Sequence, residues 1–403
     1  AGITVAFLAI PLSLAIALAS GVPPAVGLVT AIVAGIVCAL FGGTPLAVSG
    51  PAAAMSVLLA DTVQRVGLEG LVFMCLIAGI LQVVSGISGV GRLARYVPLP
   101  VIAGFTAGIG AIIIVGQIPR AFGLEPPSEA HIVDVFRQLN MYFGEINGVC
   151  LMLVVVTVAI IRGMPRLFPR VQPILPAVAV ATALVYFFKL KVPMIGDIPR
   201  SLPPLRLPTA GNIPLNELFI GAFTIYFLAS LETLLSSSAI DKLTNDKKHK
   251  PNQELIGQGL GNIAVSLFGG VPVTGVIARS AVNVRAGAKT RRSSIIHSLG
   301  VLLAVFALGP FIGMIPIAAL TGVLFSVAFS MLNYRELYEL WITSRAESLI
   351  YVVTFIVIIS VDLIAGVQAG MLAAAIIVLF KAAQTRLHVS KSSHDEITRL
   401  SLS

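Results

Sequence analysis

Apolar residues dominate this chain, and its organisation is set by where they stop. Apolar stretches fall at about 1–19, 24–41, 51–64, 69–88, 98–118, 147–162 and 173–189. A second series falls at about 212–239, 252–268, 277–285, 294–309, 312–331, 347–363 and 365–385. A run of roughly 18 or more such residues is long enough to cross a bilayer as a helix. The pattern therefore predicts an all-α integral membrane protein of fourteen transmembrane segments, seven in each half. The third segment of each series is too short to span ~30 Å of hydrocarbon as a helix. Both short segments follow the same phrase: "FGGTPLAVSGPAAAMSV" at 41–57 and "FGGVPVTGVIARSAVNV" at 268–284, an offset of 227 residues that also matches Ala54 with Ala281 and Val57 with Val284.

Composition agrees with the pattern. Hydrophobic residues make up 57% of the chain and charged residues 11%, against about 25% charged in soluble domains. The formal charge of +9 is loop charge and does not mark a nucleic-acid-binding surface. With the start of the first segment placed in the cytoplasm, 19 of the 27 Lys and Arg residues fall on inward loops and the tail, and seven on outward loops. That bias predicts a multi-pass protein with both termini cytoplasmic, and the cell inner (plasma) membrane is the expected location. Seven is odd, so the second half must run opposite to the first, as an inverted repeat. Cys38, Cys75 and Cys150 sit in apolar stretches without metal-type spacing and read as small buried hydrophobes.

The repeated phrase carries the candidate chemistry. Backbone at membrane depth can leave the helix only where protein buries it or a cavity receives it. Gly42-Gly43 and Gly269-Gly270 break the preceding helix, and Pro45 and Pro272 keep it from resuming at once. Extended chain through "TPLAVSG" and "VPVTGV" then leads into half-helices, the first opened by Pro51 at its first turn and the second near Ala278. Their free N–H groups and positive dipole ends should face each other near the midplane and form an anion site. Gly50 and Gly275 are expected to permit close approach there. Arg279 directly follows the second half-helix start, and its guanidinium suits a carboxylate or another oxyanion. Glu232, in "FLASLETLLSSSAID", is the other charge within an apolar span. It is either Arg279's structural partner or a titrating coupling group, and Ser236 lies one turn on. Asp362, Glu347 and Glu254 sit near predicted helix ends and read as interfacial caps. "GQGLGN" at 257–262 follows no strand, so its glycines read as helix-packing devices. HExxH, GxSxG and Walker patterns are absent from the sequence and its histidines show no ligand spacing. Neither an enzyme, nor a metal site, nor a cofactor is expected.

"AIPLSLAIALASGVPPAVGL" at 9–28, "GTPLAVSGPAAA" at 43–54, "NQELIGQGLGN" at 252–262 and "ARSAVNVRAGAKT" at 278–290 make the chain resemble the sulfate permease (SulP), or solute carrier 26, family of anion transporters over essentially its whole length. The resemblance implies core-domain segments in 1–88 and 212–309, gate-domain segments in 89–211 and 310–385, and a cytoplasmic tail over 386–403. It implies a homodimer in a lipid bilayer whose core moves, elevator-like, against the gate. It places substrate contacts at Leu12 and Ile16, at Ser49, Gly50, Pro51 and Ala52, and at Ile277, Ala278, Arg279 and Ser280. It places the coupling ion at Glu232 and Ser236. Many members carry Gln where this chain has Leu12 and an aromatic residue where it has Ile16. Most also end in a cytosolic STAS domain, whereas the sequence given stops some eighteen residues past the last apolar segment.

The expected function is secondary active anion transport. The 252–262 and 278–290 phrases look closest to bacterial dicarboxylate carriers, which implies proton-coupled symport of C4-dicarboxylates such as fumarate. The alternatives are a sodium-coupled bicarbonate or sulfate transporter, and a passive anion channel or exchanger of the same fold. The resembling sodium-coupled bicarbonate carriers have Asp where this chain has Glu232, with a hydroxyl one turn on.

Overall fold

The computed structural model describes residues 1–92, 98–125, 146–168, 171–211, 213–244, 248–384, 387–390 and 399–402. Most of the outward loop carrying "EPPSEAHIVDVF" and much of the tail lie outside the described residues, as do Arg95, Arg137, Arg170 and Lys247 of the topology count. Eight helical stretches among the described residues are long and apolar enough to cross a membrane, and Ile174–Phe188 and Leu363–Leu379 are shorter apolar helices.

The described residues fall into two compact units, Ala1–Tyr96 with Gly110–Met331, and Val97–Ile109 with Leu332–Ser403. The first unit opens with α1 (Gly2–Ala19) and α2 (Pro24–Phe41), then the two-residue strand β1 (Ser49–Gly50) and α3 (Ala53–Ile87). Helix α3 is two limbs: Gly67, at φ 75° and ψ 175°, breaks it between the apolar stretches 51–64 and 69–88. After α4 (Leu99–Gly116), whose first half belongs to the second unit, come α5 (Ile118–Ala121), α6 (Gly148–Leu167) and α7 (Ile174–Phe188). They are followed by α8 (Leu215–Leu243), α9 (Pro251–Leu267), strand β2 (Thr274–Gly275) and α10 (Ile277–Arg285). Helices α11 (Arg292–Gly313) and α12 (Ile317–Met331) complete the unit.

The repeated phrase follows two helices with matching boundaries. Helices α2 and α9 both begin on proline, at Pro24 and Pro251, where the missing N–H costs no intrahelical bond. Both end at the repeated Phe-Gly-Gly. Gly42 leaves α2 extended, and Gly269 leaves α9 at φ 68°. Helix α9 packs against α2 and α3, and the glycines of "GQGLGN" set the distance. A Cβ on Gly257 would overlap the Gly42 backbone, one on Gly259 the Gly79 carbonyl, and one on Gly261 the Cys38 sulfur. Backbone cannot swing aside as a side chain can. Gly257→Val is therefore expected to destabilise the protein by about 3 kcal/mol, read as a fall of the thermal unfolding midpoint in detergent. An unchanged midpoint would show that the two helices can part without cost.

In the second unit, α13 (Tyr334–Thr343), α14 (Arg345–Ser360) and α15 (Leu363–Gln384) follow one another, and Leu387–Ser390 pairs antiparallel with Arg399–Leu402. Glycines again seat the helices: Gly104 lies on the Tyr351 backbone, Gly108 and Gly366 on Ile358, and Gly370 on Thr354. Asp362 caps α15 by accepting from the Ala365 amide at 2.7 Å. Glu347 lies in the first turn of α14, where the Ser344 hydroxyl accepts from its amide. Both sit at helix ends, as expected.

Candidate functional site

The two copies of the repeated phrase meet. Strands β1 and β2 pair antiparallel, Ser49 opposite Gly275 and Gly50 opposite Thr274, and the Val276 amide extends the ladder to the Val48 carbonyl at 3.1 Å. Each strand runs into a helix whose first turn no side chain caps: α3 from its N-cap Ala52, α10 from its N-cap Val276. Pro51 is thus not the first helical residue expected of it. It belongs to the extended approach, because the chain leaves the strand pair through Pro51-Ala52 before the helix begins. The first N–H groups of both helices are left for a partner from outside the helix.

Arg279 is the deepest charge beside this junction and is completely buried. Its Nη2 donates to Ser13 Oγ at 3.0 Å and reaches the Pro51 carbonyl at 3.5 Å. Nε and Nη1 have no hydrogen-bond partner. The side chain lies against Gly50, where a Cβ would overlap Nη1. Gly50 is therefore needed for close approach. Gly275 is not, since a Cβ there would meet ordinary contacts at 3.5 Å and beyond. Ser280 ties the helix to the opposite phrase: its hydroxyl accepts from the Val48 amide at 2.9 Å and donates to the Val276 carbonyl at 2.7 Å. Leu12 and Ile16 are buried on α1, but the residue of that helix touching Arg279 is Ser13. Ile277 and Ala278 are exposed at the start of α10, unlike Ser49, Gly50, Pro51 and Ala52, which are buried.

Glu232 is not Arg279's partner. Its Oε2 is buried without a hydrogen bond, as are Ser236 Oγ one turn on and Thr274 Oγ1 on β2, beside the carboxylate. Glu232 and Ser236 lie one turn apart on α8, and Thr274 of β2 stands beside the Glu232 carboxylate. Neighbouring α8 residues hold both strand approaches: Thr233 Oγ1 accepts from the Gly275 amide at 3.0 Å, and Thr44 Oγ1 donates to Ser237 Oγ at 2.8 Å.

Glu254 departs from the interfacial cap expected of it. It is buried, and its Oε2 accepts from the amides of Gly43 and Thr44, both at 2.8 Å, while Oε1 accepts from Gln258 Nε2 at 3.1 Å. It clamps the first phrase rather than capping α9 at the interface. Three N–H donors thus hold the Glu254 carboxylate, while Glu232 Oε2 accepts from none. His297 is a further buried polar group that sequence reasoning left unassigned: it lies on α11 near Arg279, and its Nε2 has no partner. A hydroxyl, imidazole or carboxamide inside an apolar helix was the available signal for Ser13, His297 and Gln258.

Residues 1–354 match the model of the sulfate permease family. The chain is 35% identical over 399 residues to the putative sulfate transporter YvdB of Bacillus subtilis, covering 96% of this chain and 74% of that one. It is 30% identical over 392 residues to the bicarbonate transporter BicA of Picosynechococcus, covering 94% and 69%. Among solved structures, the transmembrane domain of a cyanobacterium bicarbonate transporter BicA superposes with a TM-score of 0.84 at 30% identity, over 91% of this chain and 95% of that one. The structure of SLC26A9, 21% identical, shares the fold with a TM-score of 0.87 over 98% of this chain and 67% of that one.

Proposed function

Because the chain belongs to the sulfate permease family, a family of transporters and not enzymes, we propose that it moves a small oxyanion across the membrane by secondary active transport. In this reading the anion meets the open first turns of α3 and α10, with Leu12, Ile16, Ser49–Ala52 and Ile277–Ser280 around it, and the coupling cation is held at Glu232 and Ser236. The observation that carries the proposal is Arg279. A wholly buried guanidinium with two unpartnered nitrogens and, among the described residues, no carboxylate paired with it is costly unless an anion completes it. Two helix dipoles ending at the same strand pair act with the same sign.

A guanidinium edge accepts carboxylates and inorganic oxyanions alike. Proton-coupled uptake of C4-dicarboxylates such as fumarate is the reading suggested by the sequence phrases; sulfate and bicarbonate, named for relatives of this chain, suit the same site. The three unpartnered oxygens of Glu232, Ser236 and Thr274 favour a second reading of the coupling ion, because oxygen ligands are what a hard cation such as sodium takes. Transport would proceed by elevator-like alternating access, with segments within 1–88 and 212–309 carrying the site.

Proteoliposomes given labelled fumarate, sulfate or bicarbonate under an imposed proton or sodium gradient test this. The expected result is uphill accumulation of one oxyanion driven by one cation gradient. Flux that only equilibrates, whatever the gradient, would replace the carrier with a passive channel.

A further inference from the structure

We propose that the face of α9 carrying Glu254, Gln258 and Asn262 is a positioning device that fixes the register between β1 and β2, and with it the separation of the two helix starts at the anion site. The inference rests on the reading of the strand pair as part of that site.

The three residues are four apart, so they share one helix face, and all three are buried. Each grips a different point of the repeated phrases. Glu254 accepts from the Gly43 and Thr44 amides and from Gln258. Gln258 Nε2 also donates to Ser49 Oγ at 2.5 Å, and its Oε1 accepts from the Cys38 thiol at 3.6 Å. Asn262 Oδ1 accepts from the Val273 amide at 2.8 Å. Its Nδ2 donates to the Val273 carbonyl at 3.3 Å and to Gln82 Oε1 at 2.7 Å. One rigid helix therefore holds the first phrase at 43–44 and at Ser49, and the second at Val273, next to Thr274.

That grip is needed because the strands are only two residues long. So short a ladder specifies its own register weakly, and a slip of one residue turns every strand side chain to the other face. A slip here would carry Gly50 away from Arg279 and Thr274 away from Glu232 together. The column is also not an inheritance of the repeat. The offset of 227 residues lays Glu254, Gln258 and Asn262 on Gly27, Ala31 and Gly35 of α2. There the same face is smoothed for packing: a Cβ on Gly27 would overlap the Ser13 carbonyl, and one on Gly35 the Ser298 hydroxyl. One half carries small residues where the other carries a fully hydrogen-bonded carboxylate and two carboxamides.

The direction of each bond supplies the test. Glu254→Gln sets an amide NH₂ against either the Gln258 donor or the two backbone donors. Gln258→Glu in that background turns the chain of bonds around: the carboxamide introduced at 254 donates to the carboxylate introduced at 258, and the Ser49 hydroxyl rotates to donate to that carboxylate as well. In proteoliposomes the single variant is expected to raise KM for the transported oxyanion by about tenfold, and the exchanged pair to return it to within about threefold of the parent. In detergent, backbone hydrogen exchange over 43–50 and 271–276 should quicken in the single variant and slow again in the pair. Parental KM and parental exchange in Glu254→Gln overturn the inference, as does a folded pair that recovers neither. Should Glu254→Gln fail to fold, Asn262→Asp replaces it: this change removes the donors to Val273 and Gln82 and should move both readouts the same way, and no movement overturns the inference. Failure of the anion-site reading shows separately, as a parent protein that takes up no oxyanion while the exchange measurements still report on the column.

Discussion

Replacing Arg279 with alanine is expected to weaken anion binding by about 1.5–3 kcal/mol, the usual range for hydrogen bonds to a charged group, or roughly ten- to 150-fold in affinity. The fold should survive. Arg279 makes one hydrogen bond of good length, to Ser13, and leaves two nitrogens unpartnered in a fully buried position. Removing a buried charge that no carboxylate among the described residues compensates removes a desolvation cost with it. The open first turns of α3 and α10 remain, so binding is weakened and not abolished. Arg279→Lys should fall between the two, because an ammonium keeps the charge but loses the planar fork that takes two oxygens at once. Titration calorimetry on purified protein, paired with thermal unfolding, reads both effects. Binding as tight as the parent's would remove Arg279 from the site, whatever its burial.

The long apolar helices were legible in the sequence, the short amphipathic α13 (Tyr334–Thr343) was not, and neither was the facing of any helix. Apolar stretches locate helices in a membrane protein because the bilayer requires the length, and α2 lies on the segment read at 24–41. The Phe-Gly-Gly phrases mark where α2 and α9 stop, since glycine and proline act locally. In a chain this apolar, however, helices carry little amphipathic signal to say which side meets which neighbour. Ser13 could be seen as a hydroxyl in an apolar helix, but its pairing with a residue 266 positions away has no sequence signature. Glu254 misled for a related reason. An acid in the first turn of a helix ordinarily serves the dipole in water, and only the packing of α9 against α2 turns it onto Gly43 and Thr44. Glu232 and Arg279 stood out as charges within spans, yet the sequence could not decide between a mutual pair and two separate roles. Arg279's contacts with Ser13 and Pro51, and the unpartnered oxygen of Glu232, decide for separation.

On the proposed reading, with Glu232 separate from Arg279, energy input would enter at Glu232. Glu232→Gln is expected to abolish accumulation of the anion against its gradient while leaving downhill flux. Glutamine has the shape of the protonated acid but can neither take up nor release a proton, so a carrier bearing it runs through its cycle uncoupled. The electrical argument points the same way. A dianion moving inward against an inside-negative potential costs about 2.3 kcal/mol per charge per 100 mV, and protons carried with it offset that charge. With protons as the coupling ion, uptake by the parent should rise as external pH falls, by mass action on the proton, and should not respond to sodium. Counterflow uptake in vesicles with independently set pH and sodium separates the cases. Sodium-driven accumulation at constant pH, lost in Glu232→Gln and weakened in Ser236→Ala, would assign the three oxygens of Glu232, Ser236 and Thr274 to sodium. Undiminished accumulation in Glu232→Gln with the parental pH dependence would make the carboxylate a structural neighbour of Thr274 and move coupling elsewhere in the molecule.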